Sequence, residues 1–209
     1  MRKVIASSMV TLDGVMEAPD EWAFQFLDEG LDKWALDELF ASDALLLGRV
    51  TYQGFADYWP SANDEVGFAD RMNGLPKYVV STTLGEPLGW NNSTLIRENV
   101  ADEVSNLKQQ PGQDILVLAS SDLVHTLTQH DLIDEYRIRL TPVVVGSGKR
   151  LFGDGGDTKS LKLVDTETFG SGVVVLTYHP AHSSVARGRG LGLRGGPGSH
   201  SCPYSPGFR

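Results

Sequence analysis

Gly48, Arg49 and Thr51 stand where a continuously apolar run, residues 44–47, gives way to a helical pattern. A buried strand that ends this way at a helix start offers free backbone N–H groups, a guanidinium and a hydroxyl to one anion. A phosphate suits such a turn, although the same residues also suit a plain strand–turn–helix with a surface arginine. Two further apolar runs end alike. Residues 77–80 lead into Ser81, Thr82 and Thr83, and residues 115–119 lead into Ser120, Ser121 and Asp122, with Leu123 opening the helical pattern beyond. If the three strands are parallel, their carboxyl ends share the rim where open α/β sheets bind ligands. The hydroxyls at 81–83 can serve an adenosine 2′-phosphate or a ribose, so the series points to a dinucleotide. No Gly-x-Gly-x-x-Gly follows the first strand, which excludes the ordinary dinucleotide fingerprint.

The elements that must position these turns follow from periodicity. Residues 2–9 read as a strand that turns at Thr11, Leu12, Asp13 and Gly14. A loosely helical stretch begins at Glu21 and is expected to split at Gly30. Residues 93–96 form a short strand, and residues 100–109 a helix stopped by Pro111 and Gly112. Ser120 to Asp122 are expected to cap the next helix. Residues 136–140 alternate, and Pro142 implies an edge position or a bulge. Residues 161–168 and 173–178 pair as a hairpin across Gly170 and Gly172. Strands alternating with helices, then strands in succession, predict an α/β sheet, mostly parallel, with an antiparallel C-terminal edge and helices on both faces.

The chain of 209 residues suits one domain over residues 1–180. Residues 181–209 differ in kind: from Ser183 onward they hold seven glycines, four arginines and no acid, a composition expected to stay disordered. A net charge of −9 argues against a nucleic-acid surface, so an anionic ligand needs a local cationic or N–H-rich site. Cys202 is the single cysteine, which excludes an internal disulfide and favours a reducing cytoplasm. No apolar run approaches the ~18 residues of a membrane span. His125 and His130 have no metal-ligand spacing, and no metal is expected.

The order Gly48, Arg49, Thr51, then Ser81 to Thr83, then residues 115–119 with their helix, resembles dihydrofolate reductases. Leu12, Asp13 and Gly14, with Ile133, Asp134, Glu135, Pro142, Gly146, Gly148 and Lys149, are more similar to the reductase domain of riboflavin biosynthesis and its small stand-alone bacterial relatives. The resemblance covers about residues 2–180. It implies a dihydrofolate-reductase-like three-layer fold and an NADPH-dependent oxidoreductase acting on a C=N or C=O of a small pteridine- or pyrimidine-like heterocycle. Reduction of 5-amino-6-(5-phosphoribosylamino)uracil or of dihydrofolate is the pattern. It places Gly48, Arg49 and Thr51 on cofactor phosphates and Ser81, Thr82 and Thr83 by the 2′-phosphate. Ser120, Ser121, Asp122 and Leu123 form a phosphate turn in which the family often has glycines. Leu118 stands where the riboflavin enzymes carry an acidic substrate-binding residue.

Asp13, in the Leu-Asp-Gly turn, is the catalytic candidate by this resemblance; Asp28, Glu29 and Asp32 are the acids on the helix after the first strand. Trp22, Tyr52 and Trp59 could stack on a flat substrate or fill the core. The stretch 138–145 resembles the region through which riboflavin-type reductases form homodimers. The alternative class is a ligand-binding or assembly module that kept the fold without turnover.

Overall fold

The computed structural model of the chain describes residues 1–63, 65–153 and 157–181. Eight strands form one sheet: β1 (Val4–Thr11), β2 (Ser42–Gly48), β3 (Lys77–Val80), β4 (Ser93–Ile96), β5 (Asp114–Leu118), β6 (Glu135–Thr141), β7 (Leu161–Thr168) and β8 (Val174–Pro180). Their spatial order is β4-β3-β2-β5-β1-β6-β8-β7. Neighbours from β4 through β6 pair in parallel, whereas β8 pairs antiparallel with both β6 and β7. The sheet is therefore mostly parallel with an antiparallel C-terminal edge, the dihydrofolate-reductase-like arrangement.

Among the described residues six α-helices connect the strands: α1 (Pro19–Trp22), α2 (Glu29–Phe40), α3 (Arg49–Tyr58), α4 (Phe68–Gly74), α5 (Val100–Gln109) and α6 (Ser121–Gln129). One core layer joins Ile5, Leu45, Leu47, Val79 and Leu116 to Leu39 of α2, Tyr52 of α3 and Met72 of α4. The opposite layer joins Val4, Ala6, Leu46 and Val117 to Val104 and Leu107 of α5 and to Leu123, Val124 and Leu127 of α6. Leu45, Leu46 and Leu47 are fully buried because helices cover both faces of β2, and that is why the run lacks alternation.

Three local expectations are corrected. The break after α1 falls at residues 23–28, where Phe24–Phe26 tighten into a 3-10 turn and Leu27 extends; Gly30 lies inside the first turn of α2. Asp28 sets this boundary, because its carboxylate accepts the N–H of Leu31 at 2.8 Å as the N-cap. Pro142 marks neither an edge nor a bulge. It ends β6, an interior strand between β1 and β8. Ser120 occupies the N-cap position of α6 without capping it through its side chain. The segment named for a homodimer is also divided, since Ile138 and Leu140 lie in β6 while Val144 and Val145 lie beyond it and are exposed. The tail expected beyond residue 181 lies outside the described residues.

At the far end of the sheet, Lys77 is fully buried, and among the described residues no carboxylate pairs with it. Its ammonium donates to the carbonyls of Leu75 at 2.8 Å, Asn73 at 2.9 Å and Asn91 at 3.3 Å, and lies 4.2 Å from the Trp90 ring centroid. Burial lowers its pKa to about 8, so at neutral pH it stays a cation that ties the end of α4 to the loop before β4.

Asp28 also accepts the N–H of Ser171 at 2.7 Å, joining the start of α2 to the tip of the β7–β8 hairpin. The Leu31 and Ser171 N–H groups hold its pKa below the ordinary 3.8. A depressed carboxylate pKa contributes stability that is fully present above 3.8 and is lost as pH falls through the folded value. Asp28→Ala should therefore lower Tm at neutral pH, with the gap from wild type closing as pH falls below 3.8. Melting curves from neutral to strongly acid pH check this; a gap independent of pH would remove the charged cap.

Candidate active site

Parallel pairing brings the three hydroxyl- and N–H-rich turns to one rim. Gly48 at the end of β2 pairs with Val80 at the end of β3, and Leu118 at the end of β5 lies opposite Ser7 of β1. Thr11 and Thr141 close the β1 and β6 ends together. The segments 48–51, 81–83, 120–123, 11–14 and 142–148 are thus neighbours along a single edge.

The turns after β2 and β5 are tied by one side chain. Ser120 Oγ accepts the N–H of Gly48 at 3.0 Å and lies 2.8 Å from the Leu118 carbonyl and 3.0 Å from Thr51 Oγ1. This contact explains how the second turn manages without glycine. Ala119 (φ 49°) and Ser120 (φ 60°) both hold left-handed backbone, which costs an L-residue roughly 1–2 kcal/mol each. The hydroxyl contacts offset part of that cost.

Neither α3 nor α6 has a side-chain cap at its N-terminus. Their first-turn N–H groups therefore remain donors for a ligand on the rim. Arg49 is exposed, and among the described residues its guanidinium bonds only to Gln53 Oε1, at 2.9 Å. Ser121 is buried in the first turn of α6. Leu123 puts its side chain into the core, leaving its backbone as the part near the rim.

Gly48 has no conformational need to be glycine. Its φ is −78°, and a Cβ there would meet Ser120 Cβ at an ordinary 3.5 Å. Gly148 is the opposite case: φ is +127°, and a Cβ would stand 2.7 Å from Val15 Cγ1.

In the third turn, Ser81 Oγ accepts the N–H groups of Thr83 and Leu84, both at 3.1 Å, so it shapes the turn and does not project from it. Thr82 and Thr83 are exposed and available. Sequence reasoning missed Arg97, which follows β4 directly beside this turn, where Ser81 N–H bonds the Ile96 carbonyl at 3.0 Å. Arg97 lines a cavity of about 240 Å³ with Tyr78, Ile96, Glu98 and Glu103. The signal was a strand ending in a basic residue, as at Arg49, obscured by the glutamate that follows.

A second cavity of about 230 Å³ opens beside the start of α6, between Ser121, Asp122, His125, Lys149, Arg150 and Leu151. Asp122 would repel a phosphate here, but Lys149 Nζ neutralises it at 2.6 Å. Lys149 and Arg150 reach this place because the segment after β6 is laced to the β1 turn. Leu12 N–H bonds the Val143 carbonyl, Met16 N–H the Lys149 carbonyl, and Lys149 N–H the Glu17 carboxylate, each at 2.8 Å. Sequence reasoning assigns neither basic residue a binding role.

Asp13 belongs to the same lacing. Its carboxylate accepts the Thr11 hydroxyl at 2.6 Å, the Gly146 N–H at 2.8 Å and the Val145 N–H at 3.4 Å. The Thr11 hydroxyl, aided by the two amides, lowers its pKa from the ordinary value. As the ionised carboxylate it braces this turn against the segment after β6. Of the acids on the next helix, Asp28 is consumed as a cap. The aromatic candidates are core or cluster residues. Trp22 bonds the Glu17 carbonyl, Tyr52 OH accepts the Trp90 N–H, and Trp59 packs against Phe55, Tyr58 and Phe68. Among the described residues no group of three or more His, Cys, Asp or Glu could hold a metal ion.

The RibD C-terminal domain family matches residues 2–175, and the chain belongs to that family, whose members are reductase-like domains. It is similar to the uncharacterized protein YyaP of Bacillus subtilis, 35% identical over 184 residues, covering 85% of this chain and 95% of that one. A crystal structure from Shewanella sp. PV-4, provisionally named a riboflavin biosynthesis protein, superposes with TM-score 0.71 at 22% identity over 86% of this chain and 99% of that chain. A pyrimidine reductase-like protein of Corynebacterium diphtheriae superposes with TM-score 0.60 at 13% identity over 86% and 92%.

The Ser120 contact carries a prediction. Ser120→Ala leaves the Gly48 N–H and the Leu118 carbonyl without their partner while keeping the left-handed backbone. It should destabilise the fold by about 2 kcal/mol, the scale for removing a partner from part-buried polar groups. Chemical denaturation measures it, and an unchanged midpoint would show that the two turns hold their places independently.

Proposed function

We propose that this chain is an NADPH-dependent reductase that delivers hydride to a C=N or C=O of a small pteridine- or pyrimidine-like heterocycle. The observation that carries this reading is the convergence of two helix N-termini without side-chain caps, α3 and α6, on one rim through the Gly48–Ser120–Thr51 contact. Family membership supports the reductase class. NADPH, when bound, supplies the hydride. The first-turn amides of α3 and α6, including the backbone of Asp122 and Leu123, with Arg49, Thr51 and Ser121, would hold the pyrophosphate. Lys149 would offset the Asp122 charge beside it. Thr82, Thr83 and Arg97, around the turn shaped by Ser81, would meet the 2′-phosphate and favour NADPH over NADH. Asp13 would act by fixing the turn between β1 and the 142–148 segment, and the proton for the reduced atom would come from another group or from water.

Gly48 separates this reading from a purely structural role. Gly48→Ala meets only ordinary contacts, so it should fold with an almost unchanged Tm while weakening NADPH binding by about tenfold, through lost backbone approach to a phosphate. The paired change Arg49→Ala, Thr51→Val should weaken it further. Titration followed by NADPH fluorescence measures both; if wild type binds neither NADPH nor NADH below ~1 mM, the upper range for enzyme substrates, the proposal fails.

A second reading, a binding module without turnover, is favoured by the ionised state of Asp13. Cofactor binding without oxidation across pterins, pyrimidinones and simple carbonyls would establish it. No helix among the described residues is long and apolar enough to cross a membrane.

We also propose that the chain works as a homodimer. Support comes from the exposed apolar side chains at the C-terminal side of the sheet, Val144, Val145, Leu163 and Val164. Light scattering at micromolar concentration should give twice the chain mass, and a monomeric mass would remove the dimer.

A further inference from the structure

Beneath α2, the sheet face bears a row of charge instead of the expected apolar layer. β6 presents Glu135, Arg137, Arg139 and Thr141 on alternate positions of one face, and Ser7 and Met9 of β1 lie beside them in register. Most of this charge is satisfied. Arg137 pairs with Glu135 Oε1 at 2.7 Å and with Glu38 Oε1 at 3.2 Å. The other Glu38 oxygen accepts the Ser7 hydroxyl at 2.8 Å, and the other Glu135 oxygen meets His179 at 3.2 Å and Lys3 at 3.5 Å. Every carboxylate oxygen in the row is therefore engaged.

Arg139 is left over. Among the described residues none accepts a hydrogen bond from it, and its Nε is buried without a partner. Its guanidinium lies 5.9 Å from the Trp34 ring centroid, and its cross-strand neighbours are Met9 and Val175. Val175 belongs to a small apolar cluster with Leu31 and Val173, against which Phe26, Trp34 and Phe169 pack. Burial pulls the guanidinium pKa down, and only the charge of Glu38 opposes this. A buried cation beside apolar walls is costly unless something pairs with it. The residue as a whole keeps partial exposure, so its open side can be reached. It stands two residues before Thr141, just inside the rim on the α2 side.

We propose that Arg139 anchors an oxyanion, a carboxylate or a phosphate, carried by the heterocycle, with the Trp34 ring alongside it. This rests on the reductase reading for the class of substrate. The unpaired fork of N–H donors matches an oxyanion in geometry and charge, and the aromatic ring beside it suits a flat ring system.

The test compares ligands that differ by one anionic group: pterin against pterin-6-carboxylate, and uridine against uridine 5′-phosphate. Binding is read by quenching of tryptophan fluorescence, with NADPH titrated separately into the same samples. Wild type should bind the anionic member of at least one pair about tenfold more tightly, the scale of one charge-assisted hydrogen bond. The pair that responds tells carboxylate from phosphate. Arg139→Met should erase that preference, Arg139→Lys should keep part of it, and NADPH affinity should stay unchanged in both. Arg139→Met should also raise Tm, because it removes an unpaired buried charge. A Tm lowered by that change, with the preference intact, would make Arg139 a structural residue and overturn the proposal. So would equal binding within both pairs, or binding of none of the four by wild type. If NADPH binds in those samples, the cofactor reading survives that failure; if it does not, both fail.

Discussion

The N–H of Gly48 bonded to the Ser120 hydroxyl is the contact on which the rim depends. β2 and β5 are adjacent in the sheet, but sheet pairing alone ends before the turns that follow them. Ser120 continues the link past the last ladder bond and fixes the starts of α3 and α6 relative to each other. A dinucleotide pyrophosphate needs two donor groups at fixed separation, and independent loops would have to be ordered on binding at an entropic cost. Here the ordering is built in, at the cost of two left-handed residues without glycine.

The same economy governs the opposite side of the rim. The turn after β1 and the segment after β6 each lack regular structure, yet they are bonded together at several places, with Asp13 and Glu17 accepting amides that no strand satisfies. The Thr11 hydroxyl, aided by the Gly146 and Val145 amides, lowers the pKa of Asp13 and so favours its ionised form. The acid that the sequence motif offers as a catalyst is thus also part of the frame. Gly148 shows how tight that frame is, since even one added carbon would collide with Val15.

Much of this was legible in the sequence, and the limits have physical reasons. Continuous apolar runs revealed β2, β3 and β5 because both faces of a parallel sheet are covered, and the strand–helix alternation followed. Gly30 misled because a glycine in a first helical turn looks like one that breaks a helix; Asp28, the residue that does set the boundary, is an acid among other acids. Pro142 suggests an edge position or a bulge because proline has no N–H for a ladder, yet it follows the last residue of an interior strand. The site was legible only as far as local pattern reaches. That Gly48, Ser81 and Ser120 share a rim follows from strand order, and their residue types announced it. The contributions of Arg97, Lys149 and Arg150 depend on tertiary placement, and nothing in their immediate neighbours distinguishes them from surface charge.

Net charge finally constrains how such a rim can bind anything anionic. A chain at −9 repels a polyphosphate at long range, and the repulsion is screened beyond about 10 Å at ordinary ionic strength. Within that distance, fixed amides and a few cations must outweigh it. Arg49, Arg97, Lys149 and Arg150 border the rim, and Lys149 spends part of its charge on Asp122. Uncapped helix N-termini are well suited to the remainder, because their partial charges are oriented, cannot swing away and need no counter-ion when empty. The acidic body thus favours recognition by backbone geometry over recognition by bulk charge.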